Sequence, residues 1–207
     1  MTLQIGVLAS GRGSNFQALI NSLDTGEIDA EIAVLVVNRR DARAVERAER
    51  HGIPWVYVDH RNRAREDFEK EVMDVLDSKN VELVVLAGFM RILTPFFVKH
   101  YEGRLINVHP ALLPSFPGTQ AQRDALEYGV RITGCTVHFV TTDVDNGPII
   151  IQRCVPVHGD DTESSLSMKI LREEHKALPE AVHLYAQGLL EIHGKRVNIL
   201  DPEEGTW

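Results

Sequence analysis

The chain has 207 residues, 43% of them hydrophobic and 25% charged, which matches the averages of soluble globular proteins and suffices for one domain with a continuous core. A net charge of −8 argues against broad contact with nucleic acid, because phosphate binding needs a basic face. No run approaches the roughly 20 apolar residues of a membrane-spanning helix, and the opening MTLQIGVLAS lacks the basic flank of a signal peptide. The only two cysteines, Cys135 and Cys154, have neither metal-ligand spacing nor a disulfide framework. These features predict a cytoplasmic protein with no metal and no membrane partner.

Gln4–Ala9 reads as a buried strand, and Asn15–Leu23 as a helix with Phe16, Leu19, Ile20 and Leu23 on one face. Ile32–Val37 is a β-branched run typical of a strand covered on both sides. A helix is predicted over Asp41–His51, stopped at Gly52, followed by a short strand at Trp55–Val58 and a charged amphipathic helix at Ala64–Leu76. Val81–Ala87 is the next buried strand, Ile92–Tyr101 a helix with Pro95 in its first turn, and Leu105–Val108 a strand. From Ile132 to Val157 strands follow one another with only the turn Asp145-Asn146-Gly147-Pro148 between them, which predicts an antiparallel pair. Thr162–Gln187 has a long helical pattern that Pro179 should kink or divide, and Leu190–Leu200 reads as one edge strand. Alternating strands and helices imply right-handed crossovers. The expected fold is therefore a single α/β domain: a Rossmann-like, mostly parallel twisted sheet with helices on both faces and antiparallel strands in the C-terminal half. Residues 1–105 would form a phosphate-binding half and 106–207 a catalytic half.

Ser10-Gly11-Arg12-Gly13-Ser14-Asn15 sits between the first strand and the first helix. Glycines there let backbone approach an anion, and the helix N-terminus offers unpaired N–H groups. Ser14 and Asn15 are also good N-cap residues, so a plain tight turn is the competing reading. The run lacks the third glycine of a dinucleotide fingerprint and the Lys-Ser/Thr ending of a nucleoside-triphosphate loop.

Asn107 and His109 lie two apart on a strand, so both side chains point to one side at a carboxyl end, where open α/β sheets bind ligands. A satisfied structural histidine before the proline-rich loop from Pro110 to Gly118 is the alternative. Asp143 and Asp145 would share a face if extended, and the second falls in a turn motif, so the letters leave open which carboxylate is functional and whether either is. An amide, a protonated imidazole and a carboxylate would suit acyl transfer to an amine. The first two can donate to a tetrahedral oxyanion, and the acid can hold the imidazolium and take the amine's proton. His138 alternates with apolar neighbours and reads as structural. The arginine runs at 39–40, 47–50 and 61–65 are interleaved with acids and read as solvated faces.

These residues resemble the phosphoribosylglycinamide formyltransferases of purine biosynthesis. The resemblance covers nearly the whole chain. It rests on Ser10-Gly11-Arg12-Gly13-Ser14-Asn15, on Leu86-Ala87-Gly88-Phe89-Met90-Arg91-Ile92-Leu93, on Asn107-Val108-His109-Pro110-Ala111-Leu112-Leu113-Pro114, and on Gly134-Cys135-Thr136-Val137-His138-Phe139-Val140 through Asp145-Asn146-Gly147-Pro148. It implies a formyltransferase fold and transfer of a formyl group from the co-substrate 10-formyltetrahydrofolate to the amine of glycinamide ribonucleotide. Asn107, His109 and Asp145 would be catalytic. Gly13, Ser14 and Asn15 would hold the acceptor's phosphate and Glu174 its ribose. Arg65, Met90, Arg91, Ile92 and Leu93, with Val140, Thr141, Thr142, Asp143 and Val144, would line the folate pocket. The partners expected are small molecules, with the chain a monomer or homodimer. Gln120, Thr142 and Leu171 depart from the pattern and bear on acceptor and folate contacts rather than on the reaction. A methionyl-tRNA or sugar-nucleotide formyltransferase would share the trio, the first normally with an added C-terminal module. A formyltetrahydrofolate hydrolase would normally add an N-terminal one.

Overall fold

A computed structural model describes residues 2–26 and 28–200; Met1, Glu27 and 201–207, which the single-domain expectation includes, lie outside the described residues. The chain divides into two compact units, Met1–Asn107 and Val108–Trp207.

The first unit alternates strand and helix: β1 (Leu3–Ala9), α1 (Ser14–Asp24), β2 (Ala30–Val37), α2 (Ala44–Arg50), β3 (Trp55–Tyr57), α3 (Arg65–Ser78), β4 (Leu83–Leu86), α4 (Pro95–His100) and the start of β5 (Leu105–His109). Its strands run in the order β3-β2-β1-β4-β5 and all pair parallel. The cause is visible in β2 and β4, where Val34–Val37 and Leu83–Leu86 are buried throughout, as parallel strands covered on both faces must be. The order reverses between β1 and β4. That switch point puts the loops after β1 and after β4 side by side, where open α/β sheets take ligands.

Two helix boundaries differ from expectation. The segment 92–94 is not helical: α4 starts at Pro95 because a residue before proline is pushed out of the helical region, and Thr94 sits extended at φ −77, ψ 161. Helix α2 begins at Ala44 rather than Asp41, whose carboxylate is taken by Arg39 two residues before it.

The second unit opens with the last two residues of β5 and continues with α5 (Ala121–Tyr128), β6 (Ile132–Phe139), β7 (Ile149–Pro156), α6 (Glu163–Ala186), β8 (Leu190–His193) and β9 (Arg196–Ile199). Strands β6 and β7 form the expected antiparallel pair. The tail is two strands rather than one: β8 and β9 pair antiparallel about Gly194-Lys195, with Gly194 at the positive φ that a tight hairpin requires, and β9 joins β7 in parallel. Helix α6 runs unbroken through Pro179. Leu178, Ala181 and Val182 are fully buried around it, and that packing outweighs the lost N–H. Helix α5 was absent from the expected elements. The α/β architecture, parallel first and antiparallel after, is as expected.

Candidate active site

At the switch point, Ala9 ends β1 and the chain turns through Ser10–Gly13 into α1. Gly13 is left-handed (φ 66, ψ 33), and a Cβ there would lie 2.8 Å from the Ala44 Cβ and 2.9 Å from its Cα, so only glycine fits. The Ala44 N–H donates to the Gly11 carbonyl at 3.1 Å, and the Arg47 guanidinium donates to the Arg12 carbonyl at 3.0 Å. Ser14 and Asn15 form the first turn of α1, whose leading N–H groups have no partner within the helix. The phosphate-loop candidate is thus a braced turn at a helix N-terminus.

The segment after β4 is held at both ends. The Met90 N–H donates to Ser10 Oγ at 2.8 Å, and the Ser10 N–H donates to the Gly88 carbonyl at 3.1 Å. At the far end the buried Glu69 carboxylate accepts the Thr94 N–H at 2.8 Å and the Thr94 hydroxyl. Between them Phe89 stacks on Phe68 at 6.4 Å, and the Arg91 guanidinium lies 5.8 Å over the Phe68 ring. Met90 and Ile92 nonetheless remain 71% and 60% exposed. The backbone is thus pinned while two large apolar side chains face solvent. Arg65 opens α3, three and four residues before Phe68 and Glu69 and hence on the side that touches this segment.

In the second unit His109 ends β5 and Asp145 stands in the turn between β6 and β7. Their side chains are 4% and 11% exposed, with His109 Nδ1 3.4 Å from Asp145 Oδ2. The same oxygen accepts the Gly118 N–H at 2.7 Å. His109 Nε2 lies 2.8 Å from the Phe116 carbonyl; a carbonyl only accepts, so Nε2 carries the proton. The Asp143 carboxylate is exposed and takes Asn146 Nδ2 at 3.4 Å, so Asp145 is the acid that meets the imidazole. Residues 140–144 are not extended strand, and their side chains are half or fully exposed ahead of Asp145. Asn107 precedes His109 by two residues on β5 and is half-buried.

Besides Glu69, three contributors escaped the sequence reading. His138, read as structural, has Nε2 3.9 Å from Asp145 Oδ1, while its Nδ1–H donates to the Phe139 carbonyl at 2.9 Å. Burial pushes its imidazole below the usual value, against the opposing pull of that hydrogen bond and of Asp145. Gly147 lies so close to β6 that a Cβ would stand 1.7 Å from the Phe139 oxygen, which fixes the turn bearing Asp145. The Thr136 hydroxyl donates to the Ala111 carbonyl at 2.7 Å and accepts the Leu113 N–H at 3.0 Å, anchoring the loop that follows His109. Only Glu69 among the missed residues left a signal, as a carboxylate on the stripe 69-72-73-76 that α3 buries.

Glu174 is a buried member of the stripe Leu166-Ile170-Glu174-Leu178 on α6. The thiol of Cys135 on β6 is pushed up to about 12, by burial first and the Glu174 charge second.

The profile of the formyl transferase family matches residues 3–182. The crystal structure of glycinamide ribonucleotide transformylase 1 from Symbiobacterium toebii superposes with a TM-score of 0.95 and 46% identity, over 97% of this chain and 95% of that one. The phosphoribosylglycinamide formyltransferase of Escherichia coli K12 is 41% identical over 92% of this chain and 91% of its own. The trifunctional purine biosynthetic protein adenosine-3 of Gallus gallus is 47% identical over 92% of this chain, which spans only 19% of that longer protein. The chain belongs to the formyl transferase family.

Proposed function

We propose that this protein transfers the formyl group of 10-formyltetrahydrofolate to the amine of glycinamide ribonucleotide, giving formylglycinamide ribonucleotide and tetrahydrofolate. The observation that carries the reading is the buried His109–Asp145 pair at 3.4 Å. It places an imidazole and an acid together where water is scarce, and family membership gives that pair its reaction class.

The amine lone pair attacks the formyl carbon, and the carbonyl oxygen gains the negative charge. His109, as imidazolium paired with Asp145, and the Asn107 amide donate hydrogen bonds to that oxygen, an interaction stronger in the transition state than in the substrate. His109 Nε2–H, held in the resting site by the Phe116 carbonyl, is the proton the oxyanion competes for. Asp145 accepts the proton the amine loses, directly or through water; collapse of the intermediate breaks the bond to N10 of the folate, which takes up a proton as it leaves. Gly13, Ser14 and Asn15 serve as the seat of the acceptor's phosphate, with backbone N–H donors and the positive end of α1. Glu174 accepts from ribose hydroxyls. The reduced folate lies along Met90–Leu93 with Arg65 and along Val140–Val144. In this reading the first half of the chain binds the phosphate and the second carries the chemistry.

The test offers the purified protein 10-formyltetrahydrofolate with glycinamide ribonucleotide, formyl-accepting tRNA or water alone, and follows tetrahydrofolate release and the formylated product. Release dependent on glycinamide ribonucleotide is expected. Equal release in water alone points to a hydrolase and overturns the reading, as does formylation confined to tRNA.

A further inference from the structure

We propose that Ser10 is a positioning residue that couples the two substrates, so that an acceptor phosphate at Gly13–Asn15 tightens formyl-donor binding at Met90–Leu93, and the reverse. The inference rests on the ligand assignments of the proposed function. It goes beyond them because neither ligand is assigned to Ser10 itself.

Ser10 is buried at the end of β1 and bonds to the segment after β4 through both its backbone and its side chain. Its backbone N–H donates to the Gly88 carbonyl at 3.1 Å, and its Oγ accepts the Met90 N–H at 2.8 Å. The two bonds close a ring between the strand ends at the switch point. A displacement of Ser10 therefore carries the Met90 amide and the Gly88 carbonyl with it. The segment beyond is tied again at Thr94, through Glu69, while Met90 and Ile92 stand exposed.

An anion on the N–H groups of Gly13–Asn15 fixes the turn that starts at Ser10. The ring holds the Met90 amide in register with that turn, so an anion on the turn and a folate on the strip favour the same arrangement of the two bonds. Two ligands that draw on the same ordering bind with positive coupling, and the coupling is reciprocal by linkage. Of the two bonds, the one at Ser10 Oγ reaches the Met90 amide itself, and one neutral hydrogen bond limits the effect to about three- to tenfold in affinity.

The experiment measures the Kd of 5-formyltetrahydrofolate, which carries its formyl group on a nitrogen other than N10, with and without saturating ribose 5-phosphate. It uses the whole protein and the variants Ser10→Ala and Ser10→Thr. The wild type should bind the folate about three- to tenfold more tightly with the sugar phosphate present. Ser10→Ala should bind each ligand alone yet show a ratio near one, and Ser10→Thr, which keeps the hydroxyl, should restore the wild-type ratio. A ratio of one in the wild type, or an unchanged ratio in Ser10→Ala, overturns the coupling while leaving the ligand assignments intact. Failure of the folate to bind wild type sinks the assignments themselves. A purely structural serine would weaken both affinities and leave their ratio alone.

Discussion

Replacing Asp145 by asparagine isolates what the acid contributes. The change is nearly isosteric, and the left-handed backbone at Asp145 (φ 51) suits asparagine as well as aspartate. The asparagine Oδ1 can still accept the Gly118 N–H that Asp145 Oδ2 accepts at 2.7 Å, so the proline-rich loop stays tied. What disappears is a charge 3.4 Å from His109 Nδ1. At an effective dielectric of 20, Coulomb's law gives about 5 kcal/mol for that separation. Desolvation of two groups this buried offsets much of it, leaving the 1.5–3 kcal/mol or so of a hydrogen bond between charged partners. That alone slows a step needing the imidazolium by about ten- to a hundredfold. Loss of the proton acceptor acts on the same step, so kcat should fall at least a hundredfold or so. The assay is initial-rate tetrahydrofolate formation at saturating substrates, alongside thermal unfolding to show that the variant is folded. A folded Asp145→Asn protein turning over within tenfold of wild type would refute the assigned role of the acid.

Three further outcomes follow from the packing. Gly13→Ala should lose roughly 2–4 kcal/mol of unfolding free energy in urea, from its left-handed backbone and from collision with Ala44. Thr136→Val keeps the shape but strands the Leu113 N–H and the Ala111 carbonyl in a buried site, at a cost of about 2–4 kcal/mol in the same experiment. The Cys135 thiol, raised from 9.0 to about 12, ionises in the unfolded chain before it does in the folded one. Its contribution is therefore complete below pH 9 and is lost as pH climbs toward 12, and Cys135→Ala should remove one proton from the fall of stability with pH over that window. An identical slope in the two proteins would contradict it.

The parallel half was legible because its strands are written as unbroken apolar runs: Val34–Val37 and Leu83–Leu86 are buried on both faces and could be little else. Helix α5 was not, because AQRDALEY buries only Ala121 and Ala125, whose small side chains leave no apolar stripe after a proline-rich loop. The hairpin β8–β9 looked like one strand because its residues are mostly exposed and alternate weakly on either side of Gly194. In the site, strand period brought Asn107 and His109 to one face, and turn letters located Asp145. Spacing alone left Asp143 and Asp145 open and the family resemblance favoured Asp145; the structure brings Asp145 to His109 and leaves Asp143 exposed. Ser10 and Thr136 act through single hydroxyls on backbone, a use that serine and threonine make throughout proteins and that leaves no mark in the letters.

The residues that hold His109 carry unusual backbone. Among the described residues, the non-glycine positions with positive φ are Asn62, Asn80, Phe116 and Asp145. Asparagine tolerates that conformation readily; a phenylalanine does not, and holding one there costs on the order of 1–3 kcal/mol. Phe116 and Asp145 are the two residues that meet the His109 ring nitrogens, through a carbonyl at Nε2 and a carboxylate at Nδ1. The strain thus falls on the pair of groups that orient the imidazole. With both nitrogens engaged and its side chain 4% exposed, the ring has little room to turn. Under the proposed mechanism the oxyanion must displace the Phe116 carbonyl from Nε2–H, but it meets a ring already held in place and so spares the cost of reorienting the imidazole itself.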